Sequence, residues 1–197
     1  MKKTIAVILS AVLLALTLCS CSGAGVEMTE ENITDSVNTA MTALTEFNTK
    51  RLEKYVDSST LNTIIGYANK HNQFKELGAA IFENLEYEIT DIDTEAKTVT
   101  LNVYNKELSG VAYEFASKLM KSYSTIELLK RLDDDEWLDA NLNELTDMID
   151  EATFNEEPIE ITLSVKEGKK NLVFVFDENA EDAVSGGALT SIMQAIK

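Results

Sequence analysis

Cysteine is nearly missing from this chain: its two copies, Cys19 and Cys21, both fall within the first 21 residues. From Ser22 onward there is no thiol, and therefore no disulfide, no thiolate metal site and no cysteine nucleophile. Histidine is as scarce. His71 stands alone among Asn69, Lys70, Asn72 and Gln73, polar company that reads as an exposed position, so a serine–histidine–aspartate relay or a histidine metal site has little to build on. Pro158 is the one proline, and no Ser/Gly/Pro-rich run follows the first 26 residues, so nothing marks an interdomain linker. Basic residues are few, 17 against 34 acidic ones, for a net charge of −17. That balance excludes nucleic acid as a partner.

What the chain does have is an export address. Lys2 and Lys3 precede an apolar run from Ile5 to Leu18, the order of a secretory signal. As a helix that run would span about 21 Å, short of the roughly 30 Å hydrocarbon core that a resident membrane helix must cross. The following Leu18-Cys19-Ser20-Cys21 places an aliphatic residue three before Cys21 and a small one directly before it, which resembles the lipobox of bacterial lipoproteins. The rival Cys19 has bulky Leu18 in the place of the small residue; the plain alternative is a conventional cleavage site with two chance cysteines, or a disulfide between them. On the lipobox reading residues 1–20 are a signal peptide and Cys21 is acylated. Residues 21–26 then form a short tether, and the bilayer becomes a partner on the extracytoplasmic face of the cell membrane. Once Lys2 and Lys3 are removed, 15 basic side chains remain against 34 acidic ones, about −19. Anionic headgroups would repel such a domain, so it is expected to stand off the surface.

Residues 27–197 suffice for one domain with a sizeable core. Thr29 reads as a helix cap with Met28 stapled onto Ile33, and Ile33, Val37, Met41, Leu44 and Phe47 follow at helical spacing. A shorter helix covers Thr49 to Val56. Ser58-Ser59-Thr60 then opens a helical pattern running to Leu85, with an interruption near His71-Asn72. From Leu85 the period becomes two: Leu85, Tyr87 and Ile89, then Val99, Leu101 and Val103, predict a hairpin, and the out-of-phase Ile92 predicts a bulge near Thr90-Asp91. Residues 107–152 return to helical spacing as two or three helices. A second hairpin follows, Ile159 to Val165 and Leu172 to Phe176; the latter strand is apolar on both faces and is expected to be central, with Phe174 buried and a helix over its second face. A single amphipathic helix capped by Asn179 closes the chain. The fold class is thus α+β: N-terminal helices, then a curved four-stranded antiparallel sheet of two hairpins with a helical insertion, then a C-terminal helix.

The N-terminal helical pair, the strand phrase Glu88-Ile89-Thr90-Asp91-Ile92-Asp93, the following Lys97-Thr98-Val99-Thr100-Leu101-Asn102-Val103 and the late Gly186-Gly187 together resemble the cystatin-like or NTF2-like domains of bacterial, mainly Gram-positive, lipoproteins of unknown function. The likeness covers about 120 residues and rests on pattern; the insertion 107–152 departs from the simplest form of that fold. It implies a cone with a pocket but no catalytic residue, because no catalytic motif is matched.

The charge feature that stands out is Asp133-Asp134-Asp135-Glu136, continued by Asp139, Glu144, Asp147, Asp150 and Glu151. Calcium loops need alternating oxygen ligands and a glycine at the sixth position; counted from Asp133, the fifth and sixth positions here are Trp137 and Leu138. A solvated helix face with an acidic first turn fits the stretch better. Gly186-Gly187 reads either as anion capture at a helix start or as a kink where backbones approach closely. The sequence thus assigns lipidation to Cys21 and names no catalytic, cofactor-binding or metal residue. It points to a non-enzymatic binding domain for a small ligand or an envelope protein, with a carboxylate-dependent enzyme using an NTF2-like pocket, or an envelope assembly or regulatory subunit, as the alternatives.

Overall fold

The computed structural model describes residues 25–196, so the signal segment 1–20 and Cys21 lie outside it. Helix α1 (Glu30–Thr45) starts where Thr29 stops it from fraying: the hydroxyl accepts from the Asn32 amide at 3.2 Å, and Glu30 and Glu31 place negative charge in the first turn. Met28 and Ile33, on either side of the cap, join one apolar cluster. Asn48 and Ser58 cap α2 (Thr49–Tyr55) and α3 (Ser59–Ala68) in the same way, and α4 (Asn72–Phe82) begins after the expected interruption at His71.

Two hairpins make most of the sheet. β2 (Glu86–Asp93) pairs with β3 (Thr98–Tyr104), and their register slips between Ile89 and Asp91, the bulge that the phase of Ile92 predicts. β4 (Ile159–Glu167) pairs with β3 on one side and with β5 (Leu172–Val175) on the other. Val99, Leu101, Val103, Ile161, Leu163, Val165, Leu172 and Phe174 face inward and are buried. On the other face Thr100 and Thr162 share a hydrogen bond of 3.1 Å beside half-buried Asn102 and exposed Ser164, the wet side of an antiparallel sheet.

Three expectations need correction. The sheet has five strands, in the order β1-β5-β4-β3-β2, because β1 (Val56–Asp57) adds a parallel edge, with Val56 opposite Phe174 and Asp57 opposite Val175. Two residues carry no periodicity; the strand forms because the joint between α2 and α3 brings Val56 to the free edge of β5. Second, β5 is interior and Phe174 is fully buried, but Val173 and Val175 stay half-buried on the wet face, opposite Lys166 and Ser164, instead of lying under a helix. Third, the C-terminal helix is two helices, α8 (Glu178–Val184) and α9 (Ala188–Ile196), and the cap of α8 is Asp177, whose Oδ1 accepts from the Ala180 amide at 2.9 Å, not Asn179.

The insertion holds three helices, α5 (Ser109–Ser122), α6 (Thr125–Arg131) and α7 (Asp135–Glu151). An antiparallel bridge between Lys106 and Phe154 closes its base. A second apolar core forms here from Leu108, Phe115, Leu138, Leu142, Leu145 and Ile149. α4 is the wall between the two cores: Phe82 belongs to the sheet core and Ala80 to the insertion core. No described helix is long and apolar enough to cross a membrane.

Candidate functional site

His71 is not the exposed residue that its neighbours suggest. Its side chain keeps 13% of its surface exposed, with Nδ1 at 2.9 Å from Asp135 Oδ1 and Nε2 at 3.6 Å from Asp133 Oδ1. Both ring nitrogens thus face carboxylates. Nδ1 is within hydrogen-bond distance of its carboxylate and Nε2 only near the other, and the ring acts as a clamp between the start of α4 and the start of α7.

The acidic stretch is correspondingly less idle than a plain solvated face. Asp134 caps α7, accepting from the Trp137 amide at 3.2 Å, and pairs with Arg131 at 2.8 Å. The amide hydrogen bond first and the guanidinium second hold its carboxyl below the usual aspartate range. Asp135 and, at longer range, Asp133 face His71, and Asp139 accepts from Gln73, so the carboxylates are spread over three partners, Arg131, His71 and Gln73. No group of three or more His, Cys, Asp or Glu among the described residues is placed to hold a metal ion. Trp137 sits half-buried with its ring edge-on to Tyr123, centroids 5.8 Å apart, while Leu138 is fully buried.

Gly186 and Gly187 have positive φ angles of 61° and 81°. A Cβ on Gly186 would collide with the Lys106 carbonyl oxygen, and the Gly186 carbonyl accepts from the Leu108 amide at 2.8 Å. This is the close backbone approach of the two readings. Anion capture at α9 does not fit, because the first-turn amides are already used: Ala188 donates to Ser185 O, Leu189 to Ser185 Oγ and Thr190 to Asp182 Oδ1.

Buried polar groups that the sequence did not single out turn out to be joints. Glu181, 4% exposed, accepts from the Ser58 hydroxyl and, at 3.2 Å, from the Thr60 amide, so a carboxylate of α8 caps α3. Asn105 donates to Ile81 O at 2.9 Å and to Val184 O at 2.8 Å, tying the ends of α4 and α8 to the exit of β3. Lys106 Nζ reaches Ile149 O at 3.1 Å at the end of α7. Most buried polar groups find partners, but which one is found across 123 residues, as Ser58 finds Glu181, is set by the fold.

Beneath the sheet, Phe47, Met41, Leu44, Leu52, Leu101 and Phe174 fill the space against α1. The concavities lie at the surface instead. One of about 620 Å3 between α5 and α7 is lined by Tyr113, Phe115, Lys118, Lys121, Glu144 and Met148, and another of about 540 Å3 by Asn38, Thr39, Thr42, Arg51, Lys54 and Tyr55. The most exposed large apolar side chains are Ile126, 68%, and Leu129, 60%, three residues apart on α6, a helix that buries none of its residues. Comparison with protein-family models, with curated proteins and with solved structures finds no match.

Proposed function

We propose that the chain is a bacterial lipoprotein, held by acylated Cys21 on the extracytoplasmic face of the cell membrane, with a non-enzymatic domain of the cystatin-like or NTF2-like kind that binds an envelope protein through its helical insertion. The observation that carries the binding half is α6. Ile126 and Leu129 share one face, and Lys121 and Lys130, both exposed and in no ion pair among the described residues, stand nearby in the chain. Exposed apolar surface on a helix with no buried residue is costly unless something covers it, and the two lysines without an ion pair suit a partner that sets carboxylates beside an apolar patch.

Two measurements test the two halves. Metabolic labelling with a fatty-acid analogue is expected to mark the native chain and the Cys19→Ala variant, and to leave Cys21→Ala unlabelled and released from the membrane; label persisting in Cys21→Ala sinks the anchor. For the insertion, a photoreactive side chain at position 126 of the anchored protein should crosslink to one defined envelope protein, and Leu129→Asp should remove that band. A diffuse pattern unaltered by Leu129→Asp argues against a specific partner at α6.

A further inference from the structure

The domain is acidic as a whole, yet exposed lysines gather at the end where its tether would leave. Gly25, the first described residue, lies against the β4–β5 turn, where a Cβ on it would stand 2.9 Å from the Gly168 carbonyl oxygen, and Val26 behind it packs on the sheet core. That turn carries Lys169 and Lys170, both exposed and in no ion pair among the described residues. Asn171 Nδ2 donates to Lys54 O at 2.6 Å, which sets the end of α2 and exposed Lys54 beside the same turn. Lys166 and Lys97 flank it and pair with two of the nearby carboxylates, Asp57 with Lys166 at 2.8 Å and Glu167 with Lys97 at 3.0 Å, while exposed Glu53 next to Lys54 accepts from Asn69 at 3.1 Å. Asp93, the last residue of β2, and Glu95 in the β2–β3 turn lie at this end of the sheet too, about 10 Å away across two strand spacings. Glu27 is the acid on the tether side. Lys54, Lys169 and Lys170, in no ion pair among the described residues, thus stand together where the chain would run to the lipid.

We propose that this pole, Lys54, Lys169 and Lys170 around Gly25, docks on anionic phospholipid headgroups and orients the domain on the membrane. The proposal rests on the lipoprotein reading for the position of the anchor. Four residue steps separate Gly25 from Cys21, a reach of roughly 14 Å at full extension, so the acyl group would hold this pole within contact distance of the bilayer. The distant carboxylates do not prevent it. With a Debye length of about 8 Å at physiological salt, a surface senses the charges that touch it rather than the net charge of the molecule. On this proposal the domain lies against an anionic surface instead of standing off it. Each lysine at such a surface is worth about fivefold in occupancy, so three unpaired ones give roughly a hundredfold preference for the docked state.

The test uses the full lipidated chain in two kinds of vesicle, neutral phosphatidylcholine and a mixture with phosphatidylglycerol, with a water-soluble lysine acylating reagent and peptide mass spectrometry as the readout. Lys54, Lys169 and Lys170 are expected to react several-fold more slowly in the anionic vesicles and to regain their rate at high salt, while Lys121 and Lys130 react equally in both. The double variant Lys169→Glu, Lys170→Glu should still float with both vesicles but lose the protection of Lys54. Flotation with both vesicles and equal reactivity at every lysine overturns the docking pole and leaves the anchor standing. Failure to float with either overturns the lipoprotein reading, and the pole with it.

Discussion

At the scale of single residues, two glycines show how position decides the sign of the same substitution. Gly66 lies in α3 with open space where a Cβ would go, so Gly66→Ala should stabilise the fold by about 0.5 to 1 kcal/mol through helix propensity alone. Gly186 combines a left-handed φ with backbone directly in the path of a Cβ, so Gly186→Ala should destabilise by more than about 1 kcal/mol. Chemical denaturation of the two variants beside the parent checks both, and a gain in stability for Gly186→Ala would show that the joint with Lys106 is loose. Phe174, fully buried under α1, belongs to the large class: Phe174→Ala should cost about 3 to 5 kcal/mol through lost burial and the cavity left behind, and a loss under about 1 kcal/mol would misplace β5.

Elements depend on what ends them, and α6 is the clearest case because it has no core contacts to fall back on. Ser124 and Glu127 form a reciprocal capping box, and the Ser124 amide first, then its hydroxyl, hold the Glu127 carboxyl below the usual glutamate value. A group whose pKa is lowered in the folded state contributes stability above its unfolded pKa and loses it as the pH falls through the folded one. Amide signals from Ser124 to Arg131 should therefore lose protection on acidification from about pH 6 to about pH 3, and Glu127→Gln should flatten that dependence. Protection that stays constant across the range would show that the box does not hold α6. The box is written locally, as are the Thr29 cap and the bulge announced by Ile92. Elements fixed by long-range contact were not legible: β1 exists only because β5 offers an edge, and Asp177 and Asn179, both good caps two residues apart, can be told apart only by where β5 ends. The same holds for His71, whose polar neighbours hide that the start of α7 arrives 64 residues later to cover it.

On the scale of the whole molecule, the two cores set how it opens. The sheet core is closed by α1, α3 and the inner faces of β3, β4 and β5, whereas the insertion core is closed by α5 and α7 against one face of α4 and by α9. Half-buried Phe74 and Ile81 touch both clusters, so the seam runs through α4. Opening the insertion exposes the Ala80 side of α4 and breaks the Lys106–Phe154 bridge and the His71 clamp, but leaves Phe47, Leu101 and Phe174 packed. A region that can separate while the rest stays folded opens at lower free energy than the global transition. Native-state hydrogen exchange should accordingly rank α6 as the fastest of the helices, α5 and α7 in between, and β3 and β4 as the slowest. Leu138, fully buried in the insertion core, gives the decisive variant. Leu138→Ala should lower protection in α5 and α7 by about 2 to 5 kcal/mol, up to the point where they exchange at the limit of their own opening, while the protection of β3 and β4 falls by much less. If Leu138→Ala lowers protection in the strands and in the insertion by the same amount, the two cores unfold as one unit, and the insertion is part of the scaffold rather than a separable platform for a partner.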